Sequence, residues 1–449
     1  MPSRTRAAWP LVAVFAAGYL AAYLLPTVVG RLSAGLGLTP AEAGLVGSTL
    51  LLHSAVAGFA LASRVDRYGP RRLSRAGLLL AVGGYGAAAL TAYVPLVVAG
   101  VAVGGLGSGT ATAVAAAGIA AQRDPHRASS LGLLAVSATA GALYLTLPRL
   151  GGGHVLPFAA LATAAVVVWP ATGRLDSAGR GGGGGVAGRS TAVPLAAGAR
   201  EAPLPGRRPG AVLAAAMFCW SMAQNALWGV SGRIGTTQAG LSEITVGAVF
   251  AVGLGAGLAG VIGAGALGAR LGRAVPIGAG TVLIGGCIVV SSSARGLLDF
   301  AVGEVLWNVF YPVVLSYLIG LAASLDPRGR WAVLVGSASS LGVACGPVTG
   351  SLLSEHAGYP GMGLVLCGLL LVVAAPMTAV ALHTSGRPLV PGAVRRRGGN
   401  PAAVVAGAAP SGTRVPQIGA PEQQVAEIPP PLRPRRRAVR DRASKALAS

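Results

Sequence analysis

Charge is what this sequence has least of. Asp, Glu, Lys and Arg together make up 11% of its 449 residues, against about 25% in a soluble domain. A chain this long and this poor in charge has too few polar groups to cover a surface in water, which excludes an ordinary soluble fold. Acids are the scarcer sign, thirteen Asp and Glu against thirty-five Lys and Arg, and Lys445 is the one lysine. Cysteine is nearly absent too. Cys219, Cys287, Cys345 and Cys367 all lie in apolar segments at no metal-ligand or redox spacing, which excludes a disulfide framework and a metal centre. No nucleophile elbow, zinc-ligand spacing or Walker loop occurs, so the chain points to no enzyme activity, no cofactor and no ATP-driven pump.

What the sequence has in quantity is apolar length, with a mean hydropathy of +0.67. A membrane helix needs roughly 20 mostly apolar residues. That window finds spans near 9–30, 41–62, 73–93, 95–119, 129–149 and 155–171, then near 210–231, 244–268, 275–293, 298–321, 331–353 and 361–383. The run after Arg4 and Arg6 is too long for a signal peptide's apolar core and leads directly into another span, so it reads as the first membrane helix. The expected fold is therefore an all-α integral membrane protein of twelve transmembrane helices in two six-helix pseudo-repeats. The first half covers 1–172 and the second 210–383. A Gly/Pro/Arg-rich linker, 173–209, separates them, and a basic, proline-rich tail follows at 384–449.

The net charge of +22 is distributed as topology requires. On the side of the N-terminus the short loops carry Arg64, Arg67, Arg71, Arg72, Arg75, Arg123, Arg127, Arg270, Arg273, Arg328 and Arg330. The opposite loops carry only Arg31, Arg149, Arg233 and Arg295. The positive-inside rule then places both termini and the linker in the cytoplasm. The arginine-for-lysine bias, with abundant Ala and Gly, is that of a GC-rich bacterial genome, and the expected location is the bacterial cytoplasmic membrane. Arg433 to Arg442 in the tail suit anionic lipid headgroups. No aromatic residue is interleaved there to stack a base, so nucleic acid is not an expected partner.

After the second span the sequence reads Arg64-Val65-Asp66-Arg67-Tyr68-Gly69-Pro70-Arg71-Arg72; after the eighth it reads Gly265-Ala266-Leu267-Gly268-Ala269-Arg270-Leu271-Gly272-Arg273. Asp66-Arg67-x-Gly69 aligns with Ala269-Arg270-x-Gly272 at the same place in each half, which is an internal repeat. This pattern resembles the major facilitator superfamily, whose loop motif Gly-x-x-x-Asp-Arg-x-Gly-Arg-Arg is filled here by Asp66, Arg67, Gly69, Arg71 and Arg72, with Pro70 inserted. Gly265, Arg270, Gly272 and Arg273 form the partner motif, in which Ala269 stands in place of an acid. The fourth span lacks the family's buried arginine. The fifth has Leu145-Thr146 in place of a Gly-Pro, with a partial echo at Gly346-Pro347-x-x-Gly350 in the eleventh. The resemblance implies alternating access, with Asp66 near the dipole-positive start of the eleventh span. A contact of that kind is worth about 0.3–2 kcal/mol, enough to bias two conformations. The same motif read without the family is a set of topological anchors with a local salt bridge.

Intramembrane polar residues name a candidate site. Glu304 is the one carboxylate well inside a span, and burying it calls for a cavity or a partner. Glu304, Asn308 and Tyr311 fall on one face of the tenth span. Gln224 and Trp228 share a stripe of the seventh, with Asn225 beside them, and Tyr19 and Tyr23 share one on the first. The family resemblance puts these three helices around one central cavity; each stripe taken alone fits interhelical hydrogen bonding as well. An aromatic and amide lining suits a small organic solute with an apolar body. Glu304 and His53 are the candidates for proton coupling. The expected protein is a monomeric secondary transporter, with protons as the candidate co-substrate. The alternative is a non-transporting polytopic sensor or assembly protein; a membrane enzyme would need clustered Asp, Glu or His, which the spans lack.

Overall fold

The computed structural model describes residues 8–62, 64–122, 124–151, 153–175, 206–267, 272–326 and 329–385. Most of the linker, the basic tail and Arg270 lie outside the described residues. Within them the chain is helical throughout, with α1 (Trp9–Tyr23), α2 (Leu25–Leu36), α3 (Pro40–Ala62), the short α4 (Val65–Tyr68), α5 (Pro70–Leu90), α6 (Val94–Ala120), α7 (Pro125–Thr146) and α8 (Val155–Val168) in the first half. The second half holds α9 (Arg207–Arg233), α10 (Glu243–Leu267), α11 (Ala274–Ser292), α12 (Leu297–Ser324) and α13 (Arg330–Ser385). Ten helices among the described residues are long and apolar enough to cross a bilayer, and an eleventh span appears when α1 and α2 are joined. α13 is 56 residues long, far more than the roughly 20 that a bilayer needs. Gly358 divides it, in a left-handed conformation (φ 68°, ψ 170°) that glycine adopts without strain.

The first span departs from its expected form. Sequence periodicity ends it near residue 30, whereas the chain stays helical to Leu36 and bends by 48° at Leu24. Pro26 causes the bend: it donates no N–H, and its ring would strike the carbonyl of Ala22 four residues back. A freed carbonyl in a membrane must find another donor. The indole Nε1 of Trp228, on α9, donates to Ala22 O at 3.0 Å. The hydroxyl of Tyr144, on α7, donates to the next carbonyl, Tyr23 O, at 2.5 Å. The kink thus ties the two halves together at the level of the candidate site.

Small residues set how closely helices approach. α5 and α6 meet through Gly77, Gly84, Gly100, Gly104 and Gly107; a Cβ on Gly77 would lie 2.9 Å from Gly107 O, and one on Gly100 only 2.6 Å from Gly84 O. The glycines of the fourth span therefore serve backbone-to-backbone packing, the membrane counterpart of a hydrophobic core contact. Each half is internally packed in this way. Between the halves, α3 packs on α13, α2 on α9, and α7 on α10.

Two arginines differ from their expected places. Arg31 and Arg233, counted as loop residues by hydropathy, are buried in α2 and α9 at 4% and 7% exposure. Arg31 donates to Gly151 O (2.6 Å), Leu147 O (3.1 Å) and Glu243 Oε2 (2.9 Å), and Arg233 donates to Ser351 Oγ at 2.9 Å. Bonded to two carbonyls and a carboxylate, the Arg31 guanidinium can stay at a buried helix end; Arg233 has Nε and Nη1 buried without a hydrogen-bond partner among the described residues.

Candidate functional site: a central cavity sealed on one side

A cavity of about 290 Å³ lies between the halves. Six of the expected residues line it: Tyr19 and Tyr23 from α1, Asn225 and Trp228 from α9, Asn308 and Tyr311 from α12. Their i, i+4 and i, i+3 spacings put each group on one helix face, and the tertiary fold turns those faces toward one another. The structure adds Ser54 and Phe59 from α3, Ser137 from α7, Trp307 from α12 and Ser339 from α13. Trp307 was legible as an aromatic one turn from Tyr311. The serines carry no sequence signal that separates a cavity hydroxyl from a packing one.

Gln224 and Glu304 stand behind the wall instead of in it, both with no exposed surface. Gln224 Oε1 accepts from the indole of Trp307 at 2.6 Å, so this amide positions a cavity ring. Glu304 Oε1 accepts from Ser231 on α9 (2.8 Å) and Ser291 on α11 (2.7 Å). Its Oε2 has no hydrogen-bond partner among the described residues. His53 also lies off the cavity: it is half-buried, with Nδ1 2.8 Å from Thr49 O of its own helix.

The cavity is closed at the side away from the Asp66 loop. There Ser48 Oγ accepts from Val348 N at 3.0 Å across the halves, and Arg31 pairs with Glu243. Pro347, from the Gly346-Pro347 element, sits among glycines. Across the halves, a Cβ on Gly44 would fall 2.7 Å from Pro347 O, and one on Gly232 3.0 Å from Pro26 O. Glu243 is half exposed, so the ion pair contributes little, about 0–1 kcal/mol; close packing of backbone does most of the sealing. Toward the Asp66 loop the lining runs on along α12 to Ala322 and along α13 to Ala332, the ends of those helices.

Around the loop motif itself, Gly69 and Gly272 both take positive φ, 84° and 68°, so the two motifs of the repeat share a left-handed turn that favours glycine. Arg67 and Arg72 are exposed and Arg71 is half-buried. Arg273 Nη1 donates to Ser324 Oγ at 2.6 Å. Gly265 lies in the last turns of α10. The Asp66 side chain falls outside what the structure describes.

Helices of membrane length in two halves around a closed-ended central cavity define a membrane transporter. The family model of the Major Facilitator Superfamily matches residues 11–327, and the chain belongs to that superfamily. Among solved structures, it is similar to the human organic anion transporter MFSD10 (TETRAN), at 18% identity over 84% of this chain and 100% of that one, with a TM-score of 0.59. The POT family transporter PepTSo is similar at 13% identity over 86% and 100%, with a TM-score of 0.64. At these identities the likeness is one of fold. No curated protein sequence shows a significant match.

Proposed function

We propose that this protein is a twelve-span secondary transporter that carries a small organic solute by alternating access, in the conformation closed to the outside. The observation that carries the reading is the asymmetry of the cavity: a seam of close backbone contacts between the halves on one side, and lining that continues to the helix ends on the other. The arginine bias of the loops makes the second side cytoplasmic. Two conformations related by parting this seam would expose Tyr19, Trp228 and Asn308 to each side in turn. The alternative of a non-transporting sensor gains no specific support from the cavity.

The seam gives a direct test. Ser48→Cys with Val348→Cys, in a chain whose four native cysteines are alanine, should form a disulfide on oxidation. Uptake into proteoliposomes, followed over a panel of radiolabelled neutral, cationic and anionic aromatic solutes, is expected to fall to background and to return with reductant. Unchanged uptake by the fully crosslinked protein would refute alternating access through this seam.

Glu304 is the proposed proton carrier. One oxygen held by two serines and one left unpartnered is an arrangement that takes a proton without rearranging its neighbours. Glu304→Gln keeps the shape and the serine bonds. It is expected to leave downhill flux intact while abolishing accumulation driven by an imposed pH gradient. Uphill accumulation by the Gln variant at the parent's level removes Glu304 from that role.

A further inference from the structure

The cavity wall has a property that hydropathy could not reveal: among the described residues that line it, none carries a charge. Every lining side chain is aliphatic, aromatic, thioether, hydroxyl or amide. An ion entering such a site gives up its hydration without gaining a counter-charge, a penalty that persists even after relaxation. Aromatic rings return only a small part of that penalty to a cation. The nearest carboxylate offers no remedy, because Glu304 is fully buried and its bonded oxygen is engaged with α9 and α11.

What the wall does present is flat. Trp228 stacks on Trp307 (5.6 Å, 19°), Trp307 on Tyr311 (5.4 Å, 28°), and Tyr311 on Trp220 (5.4 Å, 10°). This ladder of near-parallel rings from α9 and α12 is held fast, since both cavity indoles have their N–H groups occupied, by Ala22 O and Gln224 Oε1. Each ring spends its faces on its neighbours, so the wall offers ring edges and no indole donors. The amides are biased in the same direction. Asn225 Nδ2 donates to Ser221 O (3.0 Å) and Asn308 Nδ2 to Glu304 O (2.9 Å), each within its own helix. Each Nδ2 thus spends one of its two N–H groups, while the two carbonyl oxygens have no partner among the described residues, and a carbonyl only accepts.

Resting on the transporter reading, we propose that the solute is an uncharged planar aromatic or heteroaromatic molecule with at least one N–H or O–H donor, its face set against the ring edges of the Trp228–Trp307–Tyr311 ladder and its donor on Asn225 or Asn308. The solute's ring supplies edge-to-face contact with the ladder, and its donor meets carbonyl oxygens that have no partner among the described residues.

The test uses the purified full chain and two matched triads: 2-quinolone, N-methylquinolinium and quinoline-2-carboxylate, and then acridone, N-methylacridinium and acridine-9-carboxylate. Binding is read by tryptophan quenching and by thermal shift. The neutral lactam of each triad is expected to bind at least about tenfold more tightly than either charged partner, as the unpaired-ion penalty requires. Asn308→Asp, nearly the same shape, should shift the ratio of cation to neutral binding by about tenfold or more toward the cation. A charged member that binds as tightly as the neutral one overturns the proposal, and so does failure of both lactams to bind. These outcomes separate from the parent reading. Lactam binding without crosslink-sensitive flux would remove transport and keep the ligand class; crosslink-sensitive flux of a charged member would do the reverse.

Discussion

Gly44→Leu is expected to hold the protein open on the side that the structure shows closed. Gly44 lies on α3 of the first half and faces Pro347 and Ser351 on α13 of the second. A Cβ there would come within 2.6 Å of Ser351 Cβ and 2.7 Å of Pro347 O; the larger leucine has nowhere to go while the halves touch. Overpacking of this kind costs about 1–3 kcal/mol or more. The clash exists only in the closed arrangement, so the cost falls on one conformation and the equilibrium moves by about ten- to a hundredfold. A cysteine introduced at Ser137, on the cavity wall, reports the shift. With the native cysteines replaced, a membrane-impermeant maleimide applied from outside should label it at least about tenfold faster when residue 44 is leucine, in proportion to the population moved. Monodisperse protein with unchanged labelling would mean that the seam does not close the cavity.

The same chemical change at Gly84 is expected to do something different, namely to abolish folding. Gly84 lies on α5 against α6, and its Cβ would meet Gly100 O at 2.5 Å and Gly104 Cα at 2.8 Å. Every atom there is backbone, so no side chain can turn aside. Both helices belong to the first half, which moves as a unit in the proposed cycle, so no conformation relieves the clash. Gly84→Leu should therefore cost more than the usual 1–3 kcal/mol or so of an overpacked core and eliminate the monodisperse peak in detergent size-exclusion chromatography. If Gly84→Leu yields folded protein with a parent-like thermal transition, the α5–α6 contact is looser than these backbone distances imply. One substitution made in two places thus separates a contact between halves from a contact within one.

The composition made some of this visible in advance. Apolar runs mark the spans because the bilayer accepts nothing else of that length. Tyr19 with Tyr23, Asn225 with Trp228, and Asn308 with Tyr311 could be paired because helix geometry fixes which residues share a face. Pro26 lies in plain view, but no local pattern marks it as a break. Its effect depends on whether Trp228 and Tyr144 arrive to satisfy the carbonyls it releases, and those residues lie more than a hundred positions away. Arg31 was misplaced for a similar reason. Local hydropathy assigns an arginine to a loop, and only the convergence of Leu147, Gly151 and Glu243 allows it to stay buried.

Glu304 shows the boundary most clearly. A carboxylate in an apolar run must have partners, and that much follows from solvation alone. Whether it faces the cavity or stands behind the wall is set by Ser231 and Ser291, on two other helices. The sequence by itself determined the solvent of the protein, its helical class, its repeat and the faces that its polar residues share, because these depend on local composition and on the period of the helix. The tertiary structure decided which side of the cavity is sealed, that Gln224 and Glu304 support its wall, and that the described lining is free of charge. Those properties belong to contacts between helices distant in the chain, and no local pattern encodes which of its faces will meet.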